Sequence, residues 1–161
     1  LVFWQAGQLG GKGRRAQHCR ADYNCHLEVS HDSVCGIMRG KCMIHILEVD
    51  GLKAVHMGDV GTQLHSGEIG RIFGADALMI TAGSCTGLPA QESWRLTEEV
   101  FPKVIIPMHY RDGNRGARRL EHIDAFTDYF EAPEMIHHYQ TNSIIIDHDS
   151  EPQVAVLKYM G

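Results

Sequence analysis

Apolar residues along this chain come in short runs, each closed by a turn or by a residue that can bind a metal. Lys41 to Val49 and Leu52 to Met57 are two strand candidates separated only by Asp50-Gly51. That pair supplies the positive φ angles of a tight hairpin turn. Ser66 can cap a short helix that runs through Phe73 and closes at Gly74. Ala77 to Thr81 reads as a buried strand, and Gly83 to Gly87 as a small-residue loop. Pro89 opens a helix to about Val100, because proline is tolerated in a first helical turn. Lys103 to Pro107 is the next strand. Leu120, Ile123, Phe126 and Phe130 recur at three- and four-residue steps, which predicts one face of a helix. Ser143 to Asp147 and Gln153 to Tyr159 are the last two strand candidates. Helices alternating with short apolar strands argue for an α/β layer architecture.

The first 28 residues follow a different grammar. From Gln5 to Asn24 the chain carries Gly, Arg, Gln and Cys with neither a two-residue nor a 3.6-residue apolar period. The sequence therefore divides into an irregular segment, 1–28, and one folded unit, 29–161. No linker divides that unit, and no internal repeat appears.

Composition narrows the function. At 161 residues and 43% apolar content the chain is one domain in size with enough apolar side chains for a core. A formal charge of −5 with mixed signs gives no basic stripe, which argues against nucleic-acid binding. Five cysteines without regular spacing do not make a disulfide framework and point to a reducing cytoplasm. No apolar stretch approaches the ~20 residues of a membrane span, and Leu1 to Trp4 is too short for a signal-peptide core.

The chemistry lies at the run ends. Leu52 to Met57 delivers Asp59, Val104-Ile105-Ile106-Pro107 delivers His109, and His31-Asp32 precedes the Arg39-Gly40-Lys41 turn that opens another run. Imidazole and carboxylate side chains at strand ends suit a divalent transition metal. The alternatives are an Asp59 that caps a turn and a His109 packed beside Pro107 and Tyr110. His56 reads as a packed or hydrogen-bonded histidine. His65, His122, His137, His138 and His148 have no supporting context. Cys19, Cys25 and His26 lack a spaced fourth partner for zinc, and Cys42 and Cys85 read as small buried apolar residues. The Gly83–Thr86 loop has two readings, an anion-binding row of N–H groups or a plain connection.

In their order, these motifs resemble a known family. His31-Asp32, Arg39-Gly40-Lys41, Val49-Asp50-Gly51-Leu52-Lys53, His56-Met57-Gly58-Asp59-Val60-Gly61, Ala82-Gly83-Ser84-Cys85-Thr86 and Pro102 through Tyr110 are similar to the C-terminal half of a metallo-β-lactamase-fold hydrolase. The nearest branch is that of the lactonase-like and Zn-dependent hydrolases. The resemblance implies part of a four-layer αββα sandwich with metals at one edge. It implies that His31 completes one metal site, that Asp59 bridges two metals and that His109 binds the second. The metal would be zinc, with manganese or iron as alternatives, and the substrate a small ester, lactone, amide or phosphoester. The family's His-x-His-x-Asp-His ligand loop is absent from residues 1–161, and Thr62 stands where many members have a histidine. Two readings follow: a partial hydrolase, or a degenerate relative that serves as a binding or assembly module. A single sheet layer with an uncovered apolar face implies self-association in either case.

Overall fold

The computed structural model describes residues 2–4, 21–34, 36–84 and 87–159. Cys19, Cys85 and Thr86 lie outside the described residues, as does 5–20 of the irregular segment.

Strands β2 (Ala21–Ser30), β3 (Lys41–Val49) and β4 (Leu52–His56) form an antiparallel meander. Asp50 at φ 51° and Gly51 at φ 77° turn the chain between β3 and β4, the geometry that their sequence predicts. From β4 onward the connections cross over through helices. Helix α1 (Ser66–Ile72) leads to β5 (Ala77–Thr81), and α2 (Ala90–Val100) leads to β6 (Val104–Met108). β4, β5 and β6 are mutually parallel. A short helix α3 (Asp124–Thr127), a 3₁₀ turn (Pro133–Met135) and β7 (Ile136–His138) follow. The order ends with β8 (Ser143–Ile145) and β9 (Gln153–Val156). The large sheet runs β2-β3-β4-β5-β6-β9-β7, and β8 pairs with β1 (Val2–Trp4) in a separate two-stranded sheet.

Strand alternation gives this sheet two apolar faces. Val55, Leu78, Ile105 and Val154 point to the helical side, where they meet Ile72, Leu96, Val100 and Phe126. Ala54, Ala77, Val104, Ile106, Ala155 and Leu157 point to the other side, where Ile144 and Ile146 cover them. The second face is therefore partly covered. Met43, 46% exposed, remains open on it.

The α/β class is as expected, with three local differences. First, Val2–Trp4 is a strand and Ala21–Ser30 another, the one lying in and the other beginning in the segment 1–28 that reads as irregular in the sequence. β2 alternates Cys25, Leu27 and Val29 inward against His26 and Glu28 outward. Its pairing with β3, through a register shift near Ala21, supplies order that its composition hides. Second, the face predicted over Leu120 to Phe130 contains only four helical residues. Leu120 and Ile123 reach the core from a loop tied by Arg111 N–H to the Glu121 carbonyl and Ile123 N–H to the Arg111 carbonyl. Third, Ser66 is the first helical residue of α1 and His65 the cap, its N–H held by the Glu68 carboxylate at 2.7 Å.

Candidate metal site

Parallel strands deliver their C-terminal ends to one edge of the sheet, and α/β proteins bind ligands at such edges. β4 leads into Asp59, β5 into Ser84, and β6 into His109. β2 runs antiparallel to its neighbour β3 and ends at Ser30, which places His31 beside them.

Close backbone contacts hold these residues in register. Met57 N–H continues the ladder to the Met79 carbonyl at 2.9 Å. The chain then turns at Gly58, with φ 63°, where a Cβ would lie 2.6 Å from the Met43 carbonyl oxygen. Gly58 N–H donates to His56 Nδ1 at 3.0 Å, so His56 is a hydrogen-bonded structural histidine, as its sequence context indicates. Burial, and then the neighbouring His45, lower the His56 pKa and keep the ring neutral. Two residues beyond Asp59, Gly61 passes so close to His31 that a Cβ there would lie 2.1 Å from the His31 carbonyl oxygen.

Asp59 sits between two imidazoles. Its Oδ2 is 2.8 Å from His31 Nε2, and its Oδ1 is 3.6 Å from His109 Nδ1. The three residues singled out in the sequence are thus brought together. Ser84 adds a hydroxyl, its Oγ donating to Asp59 Oδ1 at 3.4 Å and accepting Gly87 N–H at 2.7 Å. His109 has φ 54°, a left-handed backbone conformation that is costly for a non-glycine residue. Next to it, the buried Tyr110 donates its hydroxyl to the Leu157 carbonyl at 3.2 Å, a structural role.

Two contributors were not assigned to the site from the sequence. Asp32, 8% exposed, accepts N–H bonds from Val34, Gly36, Met38 and Arg39, at 2.8 to 3.2 Å. Burial alone would raise its carboxyl, but those four donors outweigh it and hold the pKa below the ordinary value. The Asp32 carboxylate thereby fixes the loop that leaves His31. Cys42 approaches from β3, and the Asp59 backbone N–H points at its sulfur. Burial, then the Asp59 charge, push its thiol pKa up. It stays a neutral, half-buried thiol beside the site.

The donor types fit a divalent transition metal, since both carboxylate oxygens of Asp59 face imidazole nitrogens. Their number and arrangement do not complete a site. Among the described residues no three His, Cys, Asp or Glu side chains are grouped to hold an ion. Among the described residues His31 Nδ1, which is buried, has no hydrogen-bond partner, whereas a metal-bound imidazole ordinarily has its second nitrogen anchored. Among the described residues no helix is long and apolar enough to cross a membrane.

A family model described as a beta-lactamase superfamily domain matches residues 21–109, from the start of β2 to His109. A Thermotoga maritima protein, provisionally described as a Zn-dependent hydrolase of the metallo-beta-lactamase superfamily, superimposes with a TM-score of 0.69 at 24% identity. That match covers 83% of this chain and 63% of the other, so this chain spans less than two thirds of that protein's length. The metallo-beta-lactamase fold protein YhfI from Bacillus subtilis superimposes with a TM-score of 0.50 at 13% identity, over 84% of this chain and 46% of its own. At these identities the likeness is one of fold. No protein of curated function is significantly similar to this chain.

Proposed function

The chain belongs to the beta-lactamase superfamily, and on that premise we propose that it carries one part of the metal centre of a metal-dependent hydrolase. The observation that supports this is Asp59, held between His31 and His109 at the C-terminal edge of the parallel strands. In the proposed role His31, Asp59 and His109 would hold divalent ions, with Asp59 between the two histidines. Zinc suits this donor set, as do manganese and iron. A bound ion of this kind supplies a water acidic enough to attack near neutral pH and a Lewis acid for a carbonyl or phosphoryl oxygen. The substrate class proposed is a small ester, lactone, amide or phosphoester.

The chain's own groups set the conditions. His31 Nε2 lies 2.8 Å from Asp59 Oδ2, so an ion held at this nitrogen would take the place of that contact. Ser84 orients Asp59 Oδ1 by its hydroxyl. The four N–H donors around Asp32 hold the loop that carries His31, so little ordering remains when a ligand arrives.

Calorimetric titration of Zn²⁺ and Mn²⁺ into the chain and into Asp59→Asn tests the assignment. The substitution should weaken binding at least about tenfold, because it removes the charge and one of two acceptor oxygens. Unchanged affinity would refute it. Turnover by this chain of ester, lactone, amide and phosphoester substrates is expected to be slow, since three donors cannot hold two ions.

The ungrouped donor set favours a second reading, in which the chain is a non-catalytic binding or assembly module. No metal binding by the wild-type chain would decide for that reading. Met43 and Ile145, 46% and 69% exposed, support self-association of the chain in both cases, which sedimentation velocity tests.

A further inference from the structure

A second cavity lies at the opposite edge of the sheet, independent of the proposed metal centre. Near the N-terminal ends of β5, β6 and β9, the helical layer encloses a cleft of about 670 Å³, including Asp76, Lys103 and Pro152 in its wall. That is the size of a small-molecule site.

Its lining is aromatic. Trp94 of α2 stacks on Tyr129, with ring centroids 5.4 Å apart and 19° between the planes. Phe130 continues this wall and is itself braced edge-on by Phe126 at 5.3 Å. Phe101 stands on the rim, 75% exposed, and caps α2 in the left-handed conformation at φ 53°. Glycine is the usual residue there, because a side chain in that conformation is strained. An exposed phenyl ring is therefore kept at the rim at a conformational cost.

The charges around these rings are unbalanced. The Lys103 ammonium donates to the neutral His148 carbonyl at 2.7 Å and keeps its charge, so the wall holds one ammonium against the carboxylates of Asp76, Glu98 and Glu131. Glu98 and Glu131 also border the cleft, and neither forms an ion pair with a described residue. Aromatic faces present the negative side of their quadrupole, so rings and carboxylates attract the same kind of ligand. A neutral aromatic compound would leave the carboxylates unused, and an anion would be repelled by them.

We infer that this cleft binds a small hydrophobic cation of the alkyl- or arylammonium class. Its charge lies against Glu98 and Glu131, and its apolar part rests on Trp94 and Phe101.

Benzyltrimethylammonium is the probe, with uncharged neopentylbenzene as its isostere, each titrated into the full chain by calorimetry or ligand-observed NMR. The cation should bind at least about tenfold tighter than the isostere. Glu98→Gln combined with Glu131→Gln should remove that preference, and both positions are exposed, so the fold should not change. Phe101→Gly relieves the strained cap, so it should melt no lower than wild type yet bind the cation more weakly by about threefold or more. Asp59→Asn should leave cation binding as it is. The inference is overturned if the cation and its isostere bind alike, or if neither binds saturably. It is equally overturned if the double glutamine variant keeps the preference, if Phe101→Gly binds as tightly as wild type, or if Asp59→Asn abolishes binding.

Discussion

Replacing Gly61 by Ala should push His31 away from Asp59 without altering either side chain. A Cβ at Gly61 would lie 2.1 Å from the His31 carbonyl oxygen, 2.6 Å from its carbonyl carbon and 2.9 Å from Asp32 N. All three are backbone atoms, so no flexible side chain can swing aside. Gly61 N–H also donates to the Ser30 carbonyl at 3.3 Å, which ties the same two segments together. Reaching ordinary contact at 3.4 Å requires a displacement of about 1.3 Å. Overpacking of this kind costs about 1–3 kcal/mol. Added to the 2.8 Å separation of His31 Nε2 and Asp59 Oδ2, such a shift carries the pair out of hydrogen-bonding range. Urea unfolding should show a lower midpoint with an unchanged slope, and Zn²⁺ affinity should fall by roughly 10- to 100-fold. Gly67→Ala is the control. It lies in α1, where an added methyl group would meet nothing within 4 Å, and should add about 0.5–1 kcal/mol. If Gly61→Ala unfolds at the wild-type midpoint and binds zinc equally well, the proposed packing of His31 against the Asp59 loop is wrong.

Phe126→Ala should cost about 3–5 kcal/mol in urea unfolding, because the ring is fully buried between α3 and the sheet; a loss under ~1 kcal/mol would contradict that core. Ser84→Ala leaves the Gly87 N–H without its acceptor and should destabilise by about 1–3 kcal/mol, again read from the unfolding midpoint. His56 has a lowered pKa in the fold, so the unfolded chain binds the extra proton more readily. The stability it contributes is present above its ordinary pKa near 6.5 and is lost as pH falls through the lowered folded value. Melting temperatures measured at pH 7.5 and 5.5 should therefore drop further for wild type than for His56→Asn, and equal drops would remove His56 as a cause.

What could be read in the sequence follows from how local each signal is. β4, β5 and β6 are nearly continuous apolar runs, because parallel strands are buried on both faces, and each needs only its own residues to announce it. Asp59 and His109 were legible for the same reason, since a polar residue straight after such a run lands at the strand's C-terminal edge. β7 was not legible. It is a three-residue edge strand whose His137 and His138 are exposed, and it owes its form to pairing with β9. The predicted α3 face was misleading because three- and four-residue spacing also describes a loop that drops Leu120 and Ile123 into a core. Ser84, in the loop after β5, and Cys42, on β3, reach Asp59 from other parts of the chain, so only the folded sheet brings them to it.

The same topology explains why the two candidate sites sit at opposite ends. Each crossover returns the chain along a helix, so one edge of the sheet collects strand C-termini and the other collects strand N-termini with helix C-termini. At the first edge the backbone must turn sharply after every strand, and it does so at Gly58, at the loop through Ser84 and at the left-handed His109. Those turns aim short polar side chains inward. At the second edge α2 ends at Phe101 and the chain re-enters the sheet through Pro102 and Lys103, leaving space beneath long aromatic side chains. On the two proposals, one edge would hold ions between His and Asp, and the other an apolar body with a positive charge. Disabling one by Asp59→Asn and the other by the paired glutamine changes should have additive effects on stability, because no residue is shared between them.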